Sequence, residues 1–342
     1  MKAICYTCPG FGLYDVPEPE IQKEDDVLVK IAYAGICGSD INIIHGQEDK
    51  FLGVRPGEKF ILGHEASGTI VKLGSKAREA GWEEGDKVAM YYNEHCGHCY
   101  YCRNGQQQFC LNMKLRAGYM TEYVSQNIQQ LYKLPDNVDL LKAALIEPTS
   151  VVQRGIELCH IKAGSKVAVS GGGSIGLLFV ELLRLAGAAG ITVIEPVEEK
   201  RITAETMGAD YTIDPLHKDV EKICMEITNG LGYDAVIETS GVTGTIDTCY
   251  KILSRGGTLE LFAGYKKGSV YPIELDGFFN KEAKIVGVFQ SPYMFERTAE
   301  FYKRLNLEPF IKHVYPPGKW KYAFEYRMGG EPQKVIFDFQ QG

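Results

Sequence analysis

The stretch KVAVSGGGSIG, Lys166 to Gly176, decides the fold. Val167–Val169 reads as an apolar strand, and Leu177–Leu185 as the amphipathic helix that follows it. Between them Gly171, Gly173 and Gly176 give the spacing G-x-G-x-x-G. Gly171 permits the tight turn, Gly173 lets the backbone approach a pyrophosphate, and Gly176 lets helix and strand pack closely. The pyrophosphate would sit at the helix N-terminus, beside Ser174 and Ile175, where free N–H groups and the helix dipole favour negative charge. The next strand, Ile191–Ile194, runs into Glu195, 195 − 176 = 19 residues past the last glycine. An acid there accepts hydrogen bonds from the adenosine ribose hydroxyls and repels a 2′-phosphate, which favours NAD over NADP. A solvated strand-end charge is the competing reading of Glu195. Lys200 and Arg201 lie close by and could partly serve a phosphate, so Lys200 joins the cofactor candidates.

Outward from this turn, the strand-like runs YTID, DAVIETS and GTLELFAG alternate with helical stretches. Strand–helix alternation of this length implies an α/β fold, a parallel sheet with helices on both faces. The texture changes near Pro148. Upstream, short runs (Val27–Tyr33, Gly68–Val71, Lys87–Tyr91, Glu122–Val124) separated by Gly, Pro and Asp read as an irregular β barrel or sandwich. Downstream, Lys284–Phe289 reads as a strand, residues 293–305 as a helix, and Lys334–Phe339 as a last strand.

A chain of 342 residues suggests two domains. Its 37 Lys and Arg against 44 Asp and Glu leave a net charge of −7, which argues against a nucleic-acid partner. The most apolar stretch, Ile175–Ile194, is interrupted by Glu181, Arg184 and glycines, so no membrane span is expected. The N-terminus lacks the apolar run of a secretory signal, and a cytoplasmic location is expected. Ten cysteines in such a chain do not read as a disulfide scaffold.

Four of them, Cys96, Cys99, Cys102 and Cys110, form C-x2-C-x2-C-x7-C. Four thiolates so close in sequence can surround one tetrahedral zinc, and closed Cys₄ sites are structural. The bland reading, reduced surface cysteines, would leave an oxidation-prone cluster. His95 and His98 interleave with the ligands but read as loop residues. A second set is dispersed: Cys37 in GICGSD, His64 and Glu65 in GHE, and Glu147 in IEP. A thiolate, an imidazole and a carboxylate make a catalytic zinc set with an open position. Spacing alone would not reveal this site, since a lone Cys or His is usually packed in a core. Cys5, Cys8, Cys159, Cys224 and Cys249 read as structural.

With these motifs in family order, the chain resembles the zinc-dependent medium-chain alcohol and polyol dehydrogenases from Met1 to about Phe339. Gly63-His64-Glu65-x2-Gly68-x5-Gly74 matches the family's zinc signature, with Ala77 where valine is usual. The resemblance implies a GroES-like catalytic domain (1–147) with a structural zinc lobe (about 94–112). It further implies a Rossmann NAD-binding domain (148–286) and a C-terminal segment (287–342) that returns to the catalytic domain. Glu147-Pro148 and the Cys37/His64/Glu65 set look more like the sorbitol, threonine and sugar dehydrogenase branch than the liver-type enzymes. In that branch the metal is held by residues matching Cys37 and His64, with Glu65 or Glu147 as third ligand. Asp40 matches an acid expected to accept the other ring N–H of His64. The cofactors implied are NAD and two zinc ions per chain, one catalytic and one structural, and relatives of this length are commonly dimers or tetramers.

The implied reaction is hydride transfer between a secondary alcohol and the nicotinamide, with zinc as Lewis acid. Ser39 matches the hydroxyl that receives the alcohol proton, although a serine capping a turn fits as well. Asn42 stands where many relatives carry a relay histidine, and His45 is the alternative outlet to solvent. Gln290 stands where sorbitol dehydrogenases carry an arginine, and the segment after Cys110 is short. The cluster Tyr91, Tyr92, Asn93 and Glu94 would suit a hydroxylated ring, or is simply a strand end leading into the zinc lobe. The expected substrate is a sugar alcohol, sugar, sugar acid or cyclitol. A threonine-type amino-acid dehydrogenase is the alternative, and a non-catalytic NAD-binding protein the one from another class.

Overall fold

The computed structural model describes residues 1–342 except 9, 47–53, 56, 136, 331–333 and 342. Its second half is built on a six-stranded parallel sheet of β11 (Lys166–Ser170), β12 (Gly190–Ile194), β13 (Tyr211–Ile213), β14 (Tyr233–Glu238), β15 (Leu253–Leu261) and β16 (Lys284–Gly287). Their order is β13-β12-β11-β14-β15-β16. Side chains alternate across the strands. Val167 and Val169 join one core with Leu177, Phe179 and Leu183, whereas Ala168 joins a second with Val236 and Leu259. Burial on both faces explains why the central strands β11, β12 and β14 are mostly apolar.

The chain leaves β11 toward β12 and β13 on one side, then crosses back to place β14 on the other. A crevice therefore opens beyond the C-terminal end of β11, where the glycine-rich turn lies.

The first half holds a three-stranded sheet, β2-β1-β4 (Phe11–Asp15, Lys2–Tyr6, Phe60–Ile61). It also holds most of a seven-stranded sheet. The path of the latter is β10-β6-β5-β3-β18-β17, with β9 also on β3: Leu131–Lys133, Lys87–Met90, Glu65–Leu73, Asp26–Gly35, Val335–Asp338, His313–Tyr315 and Tyr123–Asn127. Two of these strands come from the C-terminus, and β18 pairs with β3 at Ile336↔Gly35. A short ladder, β7 (Asn93–Glu94) with β8 (Lys114–Leu115), closes the base of the cysteine loop.

Three helices position the site. Helix α1 (Gly38–Ile44) follows β3, α2 (Ile146–Leu158) begins with Glu147 and Pro148, and α3 (Ser174–Leu185) follows the glycine turn. Pro148 is tolerated because it lies in the first turn, where its missing N–H has no intrahelical partner. Helix α2 packs on α3 and so joins the two halves.

Candidate active site and metal centres

Cys37 is the N-cap residue of α1 and half-buried. His64 lies just before β5 and Glu65 opens it, after Gly63, whose φ is +92° and whose Cβ would come within 2.7 Å of Met120. Only glycine fits there, and the turn it makes delivers the next two side chains. One ligand atom each from Cys37, His64 and Glu65 lie within 4.8 Å of one another. The His64 ring meets Tyr92 edge-on at 5.0 Å.

Asp40 is 1% exposed and does something other than expected. Its Oδ2 accepts the Cys37 N–H at 2.8 Å and its Oδ1 accepts the Gly63 N–H at 3.0 Å. It ties together the two backbones that carry the cluster, and among the described residues it makes no hydrogen bond to the His64 ring. Both carboxylate oxygens are occupied by main-chain donors brought there by β3 and β5. Burial pushes its pKa up, against the pull of His64 and the two N–H groups.

Glu65 is fully buried and faces Lys334, itself 3% exposed. Lys334 Nζ donates to Glu65 Oε1 at 2.7 Å and lies 2.5 Å from Oε2, which makes no hydrogen bond. Glu147, 6% exposed at the start of α2, is not a member of the 4.8 Å group. It does share the group's electrostatics. Burial raises its pKa to about 7, with Glu65 and Asp40 adding to the rise and His64 and Lys334 opposing it. Burial works against a charged His64, yet the Cys37 sulfur, Asp40 and Glu147 together raise its pKa well above the ordinary value. Anionic and soft donors converging on a buried point favour a dication, so the residues present fit a zinc ion.

Around the cluster, Ser39 is exposed on the first turn of α1, and His45 is exposed at its far end. The fold does not bring His45 to the cluster. Tyr91, 4% exposed, donates to Gln290 Oε1 at 3.4 Å. Gln290 adopts φ +58° just beyond β16. Ser150 of α2 donates to Ser291 at 2.7 Å. These contacts set the end of the parallel sheet against the tyrosines that flank His64. Of the tyrosine-rich cluster, Glu94 is taken up by ion pairs with Arg116 and Lys114.

The sulfurs of Cys96, Cys99, Cys102 and Cys110 form a second group within 4.8 Å. Cys110 and Cys96 Sγ are 3.5 Å apart, and Asn112 Nδ2 donates to Cys96 Sγ at 3.6 Å. Hydrogen bonds from the His98 backbone and Asn112 lower the Cys96 thiol to about 5. Burial, then the neighbouring cysteines, push Cys102 up to about 12. A bound dication removes that mutual penalty, so this set fits zinc as well. His98 Nδ1 pairs with Cys96 O at 2.6 Å, and His95 leans on Tyr91 with its rings 5.7 Å apart. Of the remaining cysteines, Cys5, Cys159, Cys224 and Cys249 are buried.

In the nucleotide crevice, Gly171 has φ +105° and a Cβ there would meet Thr239 at 2.8 Å. A Cβ on Gly176 would come within 1.9 Å of Gly171 O, while Gly173 faces open space. That is the division of labour a pyrophosphate cradle needs. Glu195 Oε2 accepts the Gly172 N–H at 2.7 Å and Oε1 the Val197 N–H at 2.9 Å, so the acid braces the turn it faces. Arg201 is held by Glu195 O, Pro196 O and Asp214. Lys200 is half-buried and forms no ion pair among the described residues. The sequence reading missed Lys334; its only signal was a lone cation at the head of an apolar strand.

Comparison with known proteins gives the class. Residues 23–136 match the alcohol dehydrogenase GroES-like domain, and residues 174–305 the zinc-binding dehydrogenase domain. The chain belongs to the zinc-dependent medium-chain alcohol dehydrogenase family, enzymes that act on a CH–OH group with a nicotinamide cofactor. It is 32% identical to the L-threonine 3-dehydrogenase of Pyrococcus horikoshii, covering 98% of each chain. It is 30% identical to the sorbitol dehydrogenase of Halalkalibacterium halodurans, again with 98% of each chain covered. A solved candidate zinc-binding dehydrogenase of Sinorhizobium meliloti 1021, bound to NADP, superposes with a TM-score of 0.88 at 30% identity over 98% of each chain.

Proposed function

We propose that this protein uses NAD and two zinc ions, and that its substrate is a secondary alcohol of a polyhydroxylated molecule: a sugar alcohol, sugar, sugar acid or cyclitol. The observation that carries the reading is the convergence of Cys37, His64 and Glu65 within 4.8 Å, flanked by tyrosines that touch the end of the nucleotide-binding sheet. Residues 1–147 and 287–342 serve as the catalytic domain and 148–286 as the nucleotide domain. Cys37 and His64, with Glu65 or Glu147, would hold the catalytic zinc, and the four cysteines of the lobe the structural one. When bound, the catalytic zinc supplies a Lewis acid and the nicotinamide a hydride acceptor.

The chain's own residues align and deprotonate the substrate. Ser39, on the turn beside Cys37, receives the hydroxyl proton. His45 passes it to solvent at the other end of α1, roughly 9 Å further along the helix axis, so water bridges the two. Gln290, held by Tyr91, presents a neutral amide that suits hydroxyl groups. The glycine turn and Ser174–Ile175 hold the pyrophosphate. Glu195 takes the ribose hydroxyls and disfavours a 2′-phosphate, and Lys200 stands at the rim. The open edge of β16, near the exposed Leu275 and Phe279, suits pairing with a second copy of the chain.

The test is a screen of NAD reduction over sugar alcohols, cyclitols, aldoses, sugar acids and threonine, with and without a zinc chelator, in wild type and Cys37→Ala. A polyhydroxylated substrate turned over only by the metal-replete wild type is expected, with NAD binding intact in the variant. An active Cys37→Ala protein would overturn the metal assignment. Threonine as the sole substrate would overturn the substrate class.

A further inference from the structure

We infer that Lys334 is a positioning residue that sets how strongly Glu65 holds the metal. This rests on the reading of Cys37, His64 and Glu65 as a metal site. The ammonium reaches both carboxylate oxygens of Glu65, at 2.7 and 2.5 Å, and both side chains are almost completely buried. Space for the pair is built in. A Cβ at Gly35 would come within 2.4 Å of Glu65 Oε2 and 3.0 Å of Lys334 Cε, so any other residue there would displace it. Lys334 is anchored by its own backbone, whose N–H donates to Phe310 O, and it immediately precedes β18, which pairs with β3 at Gly35.

A buried ion pair rarely adds net stability over apolar side chains of similar size. Its position does give it a use. Glu65 shares its charge between the ammonium and whatever sits between Cys37 and His64. Lys334 therefore competes with the metal for the carboxylate and keeps the centre less negative than its thiolate and carboxylate alone would make it. Without Lys334, the fully buried Glu65 loses the ammonium that meets both its oxygens, and a metal ion between Cys37 and His64 takes over more of that compensation. The metal should then be held more tightly, and the metal-free protein should suffer most.

The experiment uses the full chain with zinc retained in the cysteine lobe and cobalt(II) titrated into the other site. Cys37→Ala identifies the absorption bands that belong to that site. In Lys334→Met, cobalt affinity by chelator competition should rise about tenfold or more, the scale of one unit charge acting a few ångströms away inside a protein. The rise in Tm on adding cobalt should exceed that of wild type, because the metal-free form has lost most. Lys334→Arg should restore both. Unchanged affinity with equal Tm losses in the metal-free and loaded forms would overturn the inference. So would a shift of the same size when Lys334→Met is made in a Glu65→Gln background, where a neutral amide replaces the carboxylate. That second background also decides the case if Lys334→Met alone does not fold. Failure of the wild type to bind cobalt at the Cys37 site would instead overturn the functional reading itself.

Discussion

Replacing Glu195 by alanine should disturb two properties that can be measured apart. The first is the brace on the glycine turn. Glu195, 4% exposed, accepts the N–H groups of Gly172 and Val197 at 2.7 and 2.9 Å. Hydrogen bonds to a charged acceptor contribute about 1.5–3 kcal/mol each, so losing both should cost the variant about 3–6 kcal/mol of stability. The second is cofactor choice. A carboxylate about 4 Å from a 2′-phosphate repels it by ~1 kcal/mol in a water-like medium and ~4 kcal/mol near a protein surface. A middle figure of about 2 kcal/mol lowers the NAD/NADP ratio of kcat/KM roughly thirtyfold. Urea unfolding reads the first effect and steady-state kinetics with both cofactors the second. Glu195→Gln keeps one acceptor for the turn without the charge, so it should shift the ratio while losing less stability. A normal ratio in both variants would show that Glu195 is only a brace for the turn, and that other residues set the choice of cofactor.

Cys99→Ser opens the cysteine lobe, so the protein should lose about one zinc equivalent and melt at lower temperature; unchanged zinc content and Tm would contradict a closed Cys₄ site. Glu260, fully buried on β15 beside the Cys159 thiol, has its pKa raised from 4.5 to about 8, by burial first and against the Cys159 hydrogen bond. The folded chain keeps a proton there that the unfolded chain releases. The resulting stability is full below about pH 4.5 and is lost as pH rises through about 8, a difference of a few kcal/mol at most (~1.4 kcal/mol per unit). Glu260→Gln should flatten that slope in urea unfolding measured across this range, and an unaltered slope would refute the assignment.

Local signals carried the nucleotide half. The glycine turn, the acid that ends the next strand and the strand-like runs each lie within a short stretch, and β11 to β16 appear where those runs fall. The expected helix over 293–305 divides into Phe295–Phe301 and a tighter turn at Tyr302–Arg304. The four lobe cysteines were legible for the same reason, since their spacing is short enough to bring four sulfurs together. Asp40 was visible as a candidate, but its partners were not. Whether it meets a ring or two main-chain N–H groups depends on how β3 and β5 pair.

What the sequence determined by itself was the parallel nucleotide-binding sheet, the glycine cradle and the cysteine lobe, because neighbours in the chain are neighbours in space there. What only the tertiary structure decided was the environment of the candidate catalytic metal. Glu65 meets a lysine 269 residues away, and Tyr91 meets Gln290 across 199 residues. No spacing rule reaches that far. The first contact exists because the last strand returns to pair with β3, and the second because the chain just past β16 meets the tyrosines of the other half.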